Sequence, residues 1–220
     1  MMEGFALKEN ITSTYAEAYR KVAANIEYAN VDKNIKTIMI TSSLAGEGKT
    51  TTICNLASVM IDSMKKILII DLDLRKPNVH KVFGLSNNMG LTDLLMKKDD
   101  YRKYIHNVYP NLDVITTGIV PANPSEIINS KAIKELIKEL KNNYHYILID
   151  TPPIALVSDP ITISTFSDAV ILTIAYSFTE REIAKKSVLS LKRVNANIIG
   201  TILNKQPVTK HNNYYYYNYK

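Results

Sequence analysis

The chain has 220 residues, of which 46% are hydrophobic, and this length and composition suit one α/β domain with a sizeable core. Its single cysteine, Cys54, excludes an internal disulfide and a cysteine cluster that could hold zinc or iron–sulfur. The formal net charge of +6 permits contact with an anionic membrane face or nucleic acid but demands neither, and we expect no nucleic-acid partner.

The sequence also bears on where the protein works. Its first ten residues lack the basic and then apolar layout of a signal peptide. No apolar run approaches the roughly 20 residues of a membrane-spanning helix, because the best candidates are interrupted by Asp71 and Asp150. We therefore expect a cytoplasmic protein.

Hydrophobic periodicity predicts helices and strands that alternate along the chain. The first element is an amphipathic helix at about residues 13–30. Strands are predicted at 35–41, 67–70, 112–116, 146–149, 169–174 and 198–203. Further helices are predicted at 49–64, 78–83, 91–97, from Ser125 or Ser130 to about Lys141, and at 179–194. Apolar strands that alternate with helices predict an α/β fold, in which helices cover both faces of a mostly parallel sheet.

A phosphate-binding pattern lies between the first predicted strand and the next helix, at residues 42–51. In that context backbone N–H groups and the helix N-terminus bind phosphate, and a lysine reaches the terminal phosphates. Gly46, Gly48, Lys49 and Thr50 match the consensus, in which Ser43 replaces the first glycine. The pattern favours a P-loop over a chance glycine turn. The residues expected to contact a nucleotide are Ser43, Ala45, Gly46, Glu47, Gly48, Lys49, Thr50 and Thr51.

Acidic side chains follow the second predicted strand. Asp71 and Asp73 come directly after the apolar residues 67–70, and Arg75 comes two residues later. If the backbone stays extended, its period of two points these three side chains to one face. Alternatively, the strand has already ended and Asp73 and Arg75 are solvated loop residues.

A third acid, Asp150, follows the apolar residues 146–149 and has the form of a Walker B aspartate. Such a run is weak evidence alone and strong evidence beside a phosphate loop. Mg²⁺ prefers hard oxygen ligands and usually keeps several waters. We therefore expect Thr50 to bind it directly and Asp150 through water.

The C-terminus is rich in tyrosine. Residues 206–220 have no core-forming pattern, which predicts a flexible tail after a domain at 1–205. Such a tail can carry its phenols to the active site of a neighbouring subunit, and a sticky interaction segment is the alternative. The tyrosines at its end are Tyr214, Tyr215, Tyr216, Tyr217 and Tyr219.

Over nearly the whole chain, these motifs resemble those of the bacterial tyrosine kinases (BY-kinases) of capsule and exopolysaccharide assembly, specifically their separate cytosolic kinase subunit. Walker A alone marks only the P-loop superfamily, whereas the double-aspartate motif with a tyrosine tail is more specific. The matching segments are Walker A at 42–51, Walker A′ at 69–77, a shared loop at 123–126, Walker B at 147–153 and the tyrosine cluster.

The resemblance implies a P-loop NTPase fold and a protein-tyrosine kinase that uses ATP and Mg²⁺. It implies that the enzyme autophosphorylates its tyrosine cluster in trans and regulates polysaccharide synthesis and export. The implied catalytic residues are Lys49, Asp71 and Asp73, and the implied metal ligands are Thr50, Asp71 and Asp150. Arg75 and Asn204 are expected as further nucleotide contacts. Asn204 would contact adenine, although a loop-capping asparagine is an equal alternative.

Partners are implied as well: protein substrates and a separate transmembrane adaptor that recruits the kinase to the inner face of the membrane and completes its active state. The family's N-terminal helix carries Glu-x-x-Arg-x-x-Arg, which is used in ring-shaped self-association. Glu17 and Arg20 match this motif, but Ala23 replaces the second arginine. Alone, the first two residues would form an exposed ion pair. A ring would therefore be weaker here or held by other contacts.

Three other functions compete with the kinase. A MinD/ParA-type ATPase, acting as a nucleotide-switched positioning dimer, usually carries a signature lysine where this chain has Leu44. An iron–sulfur scaffold ATPase needs a cysteine pair, which is absent. A catalytically silent binding module is disfavoured because the lysine, threonine and three aspartates are all present.

Overall fold

The computed structural model describes residues 14–61 and 65–207. Within these ranges, no helix combines the length and the apolar character needed to cross a bilayer. The tyrosine cluster lies outside them, so its placement and the predicted boundary between residues 205 and 206 stay predictions.

The described residues form alternating strands and helices around one sheet. The strands are β1 (Thr37–Ser42), β2 (Ile67–Asp71), β3 (His106–Tyr109), β4 (Leu112–Ile115), β5 (Tyr146–Asp150), β6 (Ala169–Ala175) and β7 (Ile198–Asn204). The helices are α1 (Thr14–Ala29), α2 (Lys49–Met60), α3 (Val79–Phe83), α4 (Leu91–Lys97), α5 (Pro124–Asn129), α6 (Lys131–Leu140), α7 (Asp159–Ser164) and α8 (Arg181–Arg193), with a short 3-10 helix at Tyr101–Tyr104.

The sheet has the strand order β3-β4-β2-β5-β1-β6-β7. β3 is antiparallel to β4, and every other neighbouring pair is parallel. The predicted α/β fold with a mostly parallel sheet is therefore confirmed. Because the parallel strands end at the same edge, the polar residues that follow β1, β2 and β5 gather there.

Both faces of the sheet are covered, and this explains the continuous apolar strands. Along β2, Ile67 and Ile69 join a buried cluster with side chains of α1 and α2. Leu68 and Ile70 join a second cluster with side chains of α6, α7 and α8. Since successive side chains of a strand point to opposite faces, the two clusters lie on opposite sides of the sheet.

One strand, one α-helix and the 3-10 helix have no counterpart among the predicted elements, and one predicted helix is divided. β3 has only four residues, and its register against β4 shifts between Asn107 and Tyr109, so it shows no sustained alternation. α7 has six residues, too few for a helical period. The helix predicted to end near residue 141 is split between α5 and α6, because Ser130 is extended and its Oγ accepts a hydrogen bond from Ile133 N at 3.3 Å.

Candidate active site

The phosphate-loop backbone passes through two glycines in the left-handed region. Gly46 has a φ of 81° and Gly48 a φ of 88°, which other residue types rarely adopt. Gly48 directly precedes Lys49, the first residue of α2. A Cβ at Gly48 would also collide with the Asn204 side chain. The loop geometry therefore requires both glycines and delivers the chain directly into a helix N-terminus.

An open cleft of about 520 Å³ lies beside this loop. Six of the eight loop residues expected to contact a nucleotide line it, namely Ala45, Gly46, Gly48, Lys49, Thr50 and Thr51. The other two, Ser43 and Glu47, are fully buried. Pro152, Pro153, Leu156 and Val157 also line the cleft. Sequence did not indicate the last two, because apolar residues after a strand carry no distinctive pattern.

Lys49 and Asp73 form an ion pair in the cleft, with 3.4 Å between Nζ and Oδ2. Their side chains are only 11% and 5% exposed. Asp73 also accepts a hydrogen bond from Lys76 N at 3.0 Å through its other oxygen. Asp73 is thus a buried partner of the phosphate-loop lysine and not a solvated loop residue.

Asp71 contacts backbone amides. β2 ends at this residue, and its carboxylate accepts hydrogen bonds from Asp73 N at 3.2 Å and from Asn78 N and Val79 N, both at 3.0 Å. Burial raises the pKa of Asp71 well above its ordinary range, and the negative charge of Asp150 raises this pKa further. The hydrogen bonds from the amides of Val79 and Asn78 act in the opposite direction. In this structure Asp71 therefore fixes the segment that runs from the strand end to α3.

Arg75 lines the cleft, but its side chain binds Asp159 and not the neighbouring acids Asp71 and Asp73. Its Nε donates to Asp159 Oδ2 at 2.7 Å, and its Nη2 donates to Ser125 Oγ at 3.0 Å. The Ser125 hydroxyl in turn donates to Asp159 Oδ1 at 2.8 Å. Leu72 and Leu74 join the same buried cluster as Leu68 and Ile70, so the alternation of the strand continues past Asp71. The side chains of Asp71, Asp73 and Arg75 nevertheless contact three different groups.

Asp159 is the buried partner of the cleft residue Arg75, and the sequence did not predict this role. Its side chain is 2% exposed and joins Arg75 to the start of α7. A signal was present, because an acidic residue followed by proline is typical of the first turn of a helix. Its partnership with a residue 84 positions earlier had no sequence signal.

Thr50 and Asp150 offer the features of a magnesium site. The Thr50 hydroxyl donates to Asp150 Oδ2 at 2.7 Å, which leaves its lone pairs available. Asp150 Oδ1 is buried without a hydrogen-bond partner, and burial raises the pKa of Asp150 to about 6. Asp150 lies opposite Asp71 in the register of β5 and β2. A divalent cation would offset this buried negative charge, so the residues present fit Mg²⁺.

Protein side chains alone do not complete that site. Within the described ranges, no group of three or more histidine, cysteine, aspartate or glutamate side chains is arranged to hold a metal ion. Mg²⁺ usually takes one or two protein ligands together with phosphate oxygens and waters. The arrangement is therefore that of a site completed by a nucleotide, and the metal ligands stay predictions.

Asn204 supports the phosphate loop. Its Nδ2 donates to the carbonyl oxygen of Glu47 at 2.9 Å, and its Oδ1 accepts from Lys205 N at 2.9 Å. These contacts suit the loop-capping alternative, and an adenine contact stays a prediction.

On α1, Arg20 and Glu17 form an i,i+3 ion pair of 3.1 Å, while self-association through this helix stays a prediction.

Comparison with known proteins places this geometry in a family. A family model described as an AAA domain matches residues 35–202. The tyrosine-protein kinase YwqD of Bacillus subtilis (strain 168) is 42% identical over 209 residues, which cover 94% of this chain and 88% of that protein.

Solved structures of similar sequence lead to the same family. The chimerical protein CapA2B2 is 34% identical with a TM-score of 0.89, over 94% of this chain and 92% of that one. The kinase domain of the Escherichia coli tyrosine kinase ETK is 31% identical with a TM-score of 0.88, over 93% and 82% of the two chains.

A more distant likeness connects the chain to the rival class. The septum site-determining protein MinD from Pyrococcus horikoshii OT3, solved with Mg-ADP, is 27% identical with a TM-score of 0.68, over 80% and 72% of the two chains. Both groups share the P-loop NTPase fold, which implies nucleotide binding. The kinases have a higher sequence identity to this chain than MinD has, and they match more of its length. The chain therefore belongs to the family of bacterial tyrosine-protein kinases.

Proposed function

We propose that this protein is a cytoplasmic protein-tyrosine kinase that transfers the γ-phosphate of Mg-ATP to tyrosine hydroxyls, its own C-terminal cluster included. The observation that carries the proposal is the meeting of the Lys49–Asp73 and Thr50–Asp150 pairs beside one glycine-lined loop. Together they provide a cation for the terminal phosphates and oxygen ligands for a metal. The identity to tyrosine-protein kinases supports the choice of acceptor.

The roles of the residues follow from charge and position. Lys49 neutralises charge on the β- and γ-phosphates, and the amides of the loop and of α2 hold the phosphate oxygens. Thr50 and Asp150 would hold Mg²⁺, which supplies further neutralisation of the triphosphate. Asp73 holds the lysine in place at the floor of the cleft.

Proton transfer sets a limit on Asp71. A carboxylate with a pKa of about 4 cannot ionise a phenol with a pKa of about 10 before phosphoryl transfer. Burial raises the pKa of Asp71 and narrows this gap, whereas a divalent cation beside the carboxylate would widen it again. In a loose transition state the proton can leave late, so positioning and charge neutralisation supply most of the rate. The three backbone amides on Asp71 agree with a contribution through positioning, because they fix the segment that carries Asp73.

Removal of the tail tests the choice of acceptor. After incubation with γ-labelled ATP and Mg²⁺, the full chain should carry label on tyrosine, and a chain truncated after Lys210 should lose nearly all of it. ATP affinity should stay within about twofold, since the truncation leaves the cleft intact. A full-length variant with phenylalanine at the five clustered tyrosines is the matched control. Equal tyrosine labelling of the truncated and full chains would refute the tail as acceptor, whereas ATP hydrolysis without phosphotyrosine would favour the MinD/ParA-type ATPase.

We also propose that a transmembrane adaptor recruits the kinase to the inner face of the membrane, where it regulates capsular or exopolysaccharide synthesis and export. The proposal rests on the resemblance to the kinases of capsule and exopolysaccharide assembly. The purified chain alone should therefore autophosphorylate slowly, about tenfold or more below its rate with the adaptor's cytosolic segment, as judged by initial rates of labelling. An equal initial rate with and without that segment would argue against an activating adaptor.

A further inference from the structure

One acidic side chain of the phosphate loop is turned inward and not toward the cleft. Glu47 lies between the two left-handed glycines, Gly46 and Gly48, and is fully buried. A buried carboxylate is costly unless its oxygens receive hydrogen bonds. The hydrogen bonds that Glu47 accepts therefore indicate which parts of the chain its carboxylate holds together.

Three donors converge on that carboxylate from two parts of the chain. Oε2 accepts a hydrogen bond from Leu44 N, within the phosphate loop, at 2.5 Å. Oε1 accepts from Ala175 N, at the end of β6, at 3.1 Å, and from the hydroxyl of Thr179. All three donors are neutral groups. A fourth contact comes from Asn204 Nδ2, at the end of β7, to the carbonyl oxygen of Glu47.

These bonds join the phosphate loop to the ends of two neighbouring strands. The Leu44 bond fixes the internal curvature of the loop, and the Ala175, Thr179 and Asn204 bonds fix its position against β6 and β7. A loop that is held in its binding shape beforehand loses less conformational entropy when a ligand binds. We infer that Glu47 is a positioning residue, which holds the phosphate loop in its nucleotide-binding shape through Leu44, Ala175 and Thr179. This inference rests on the proposed nucleotide site.

Glutamine at position 47 isolates the role of the carboxylate. It has nearly the same shape, but it offers one acceptor oxygen and an NH₂ group that can only donate. Because Oε2 and Oε1 each face a backbone N–H, the NH₂ group would oppose one of the two. Removal of a buried negative charge alone would favour phosphate binding. We expect loss of the loop's shape to outweigh that gain, since a hydrogen bond to a charged group contributes more than a neutral one.

The experiment compares full-length chains by calorimetric titration with Mg-ATP and with Mg-ADP. Glu47→Gln should weaken both dissociation constants about tenfold or more, and Thr179→Val, which removes one donor, about threefold. Thr179→Ser keeps the hydroxyl and should stay within about twofold of wild type. Glu182→Gln is the matched control, because Glu182 lies exposed on α8 and pairs with Lys185.

Kinetics separate positioning from a general effect on folding. With Glu47→Gln, the KM for ATP in tail phosphorylation should rise with the dissociation constant, while kcat at saturating ATP stays within about threefold. A purely structural role would reduce the folded fraction and kcat without changing the affinity of the folded protein. Affinities equal to wild type in Glu47→Gln would overturn the inference. If that variant does not fold, wild-type affinity in Thr179→Val would overturn it. A wild-type chain that binds no nucleotide would contradict the proposed function itself.

Discussion

Replacement of Lys49 by methionine should lower the rate of tyrosine phosphorylation by about a hundredfold to a thousandfold. Methionine keeps much of the length of the side chain and removes the positive charge that meets the terminal phosphates. Loss of one preorganised electrostatic partner of a transition state has an effect of this size. The measurement is the initial rate of label transfer from γ-labelled ATP to tyrosine, and a rate within tenfold of wild type would contradict the role assigned to Lys49.

The same substitution should also affect stability, because Asp73 is only 5% exposed and loses its ion-pair partner. Removal of one member of a buried pair costs about 3 kcal/mol of the free energy of unfolding. The double variant Lys49→Met with Asp73→Asn should recover most of that loss in denaturant unfolding and should still be inactive. Recovered activity in the double variant would show that Lys49 acts mainly by pairing with Asp73.

Replacement of Asp71 by asparagine should reduce phosphotyrosine formation by about a hundredfold or more. The amide is nearly isosteric, but its NH₂ group would oppose at least one of the N–H groups of Asp73, Asn78 and Val79. The segment after β2 would then lose its anchor, and Asp73 would no longer be held beside Lys49. Faster amide hydrogen exchange at Asn78 and Val79 should accompany the loss of activity.

A second buried aspartate provides the control for that variant. Asp113 on β4 is 4% exposed, accepts a hydrogen bond from the Tyr144 hydroxyl at 2.7 Å, and does not line the cleft. Asp113→Asn should keep the activity of the folded protein within about twofold. If Asp71→Asn were inactive with unchanged exchange at Asn78 and Val79, Asp71 would act on the substrate directly and not through this segment.

Most strands of the sheet could be predicted because both faces of the sheet are buried. Each such strand is then a continuous apolar run, such as residues 67–70, and this pattern identifies it as a buried strand. The phosphate loop was predictable for another reason, since its two left-handed positions require glycine and its chemistry requires lysine and threonine. β3 was not predicted, because this irregular edge strand pairs with only one neighbour and shows no alternation of apolar and polar residues.

The candidate site was predictable as a list of residues but not as a set of contacts. Asp71 was assigned from its motif, yet its three bonds to backbone amides depend on how the chain turns after β2. Asp159 and Thr179 were missed because their partners, Arg75 and Glu47, are 84 and 132 positions away. Only the topology of the sheet brings these segments together.

The Lys49–Asp73 pair has a consequence for which anions the cleft accepts. An incoming anion must compete with an internal carboxylate that is already at contact distance from the lysine. Orthophosphate brings no compensating cation, so its binding would leave Asp73 facing a second negative group. In Mg-ATP the Mg²⁺ brings two positive charges, which can offset the negative charges of Asp73 and Asp150. The cleft should therefore select against simple metabolite anions by charge before it discriminates among ligands by shape.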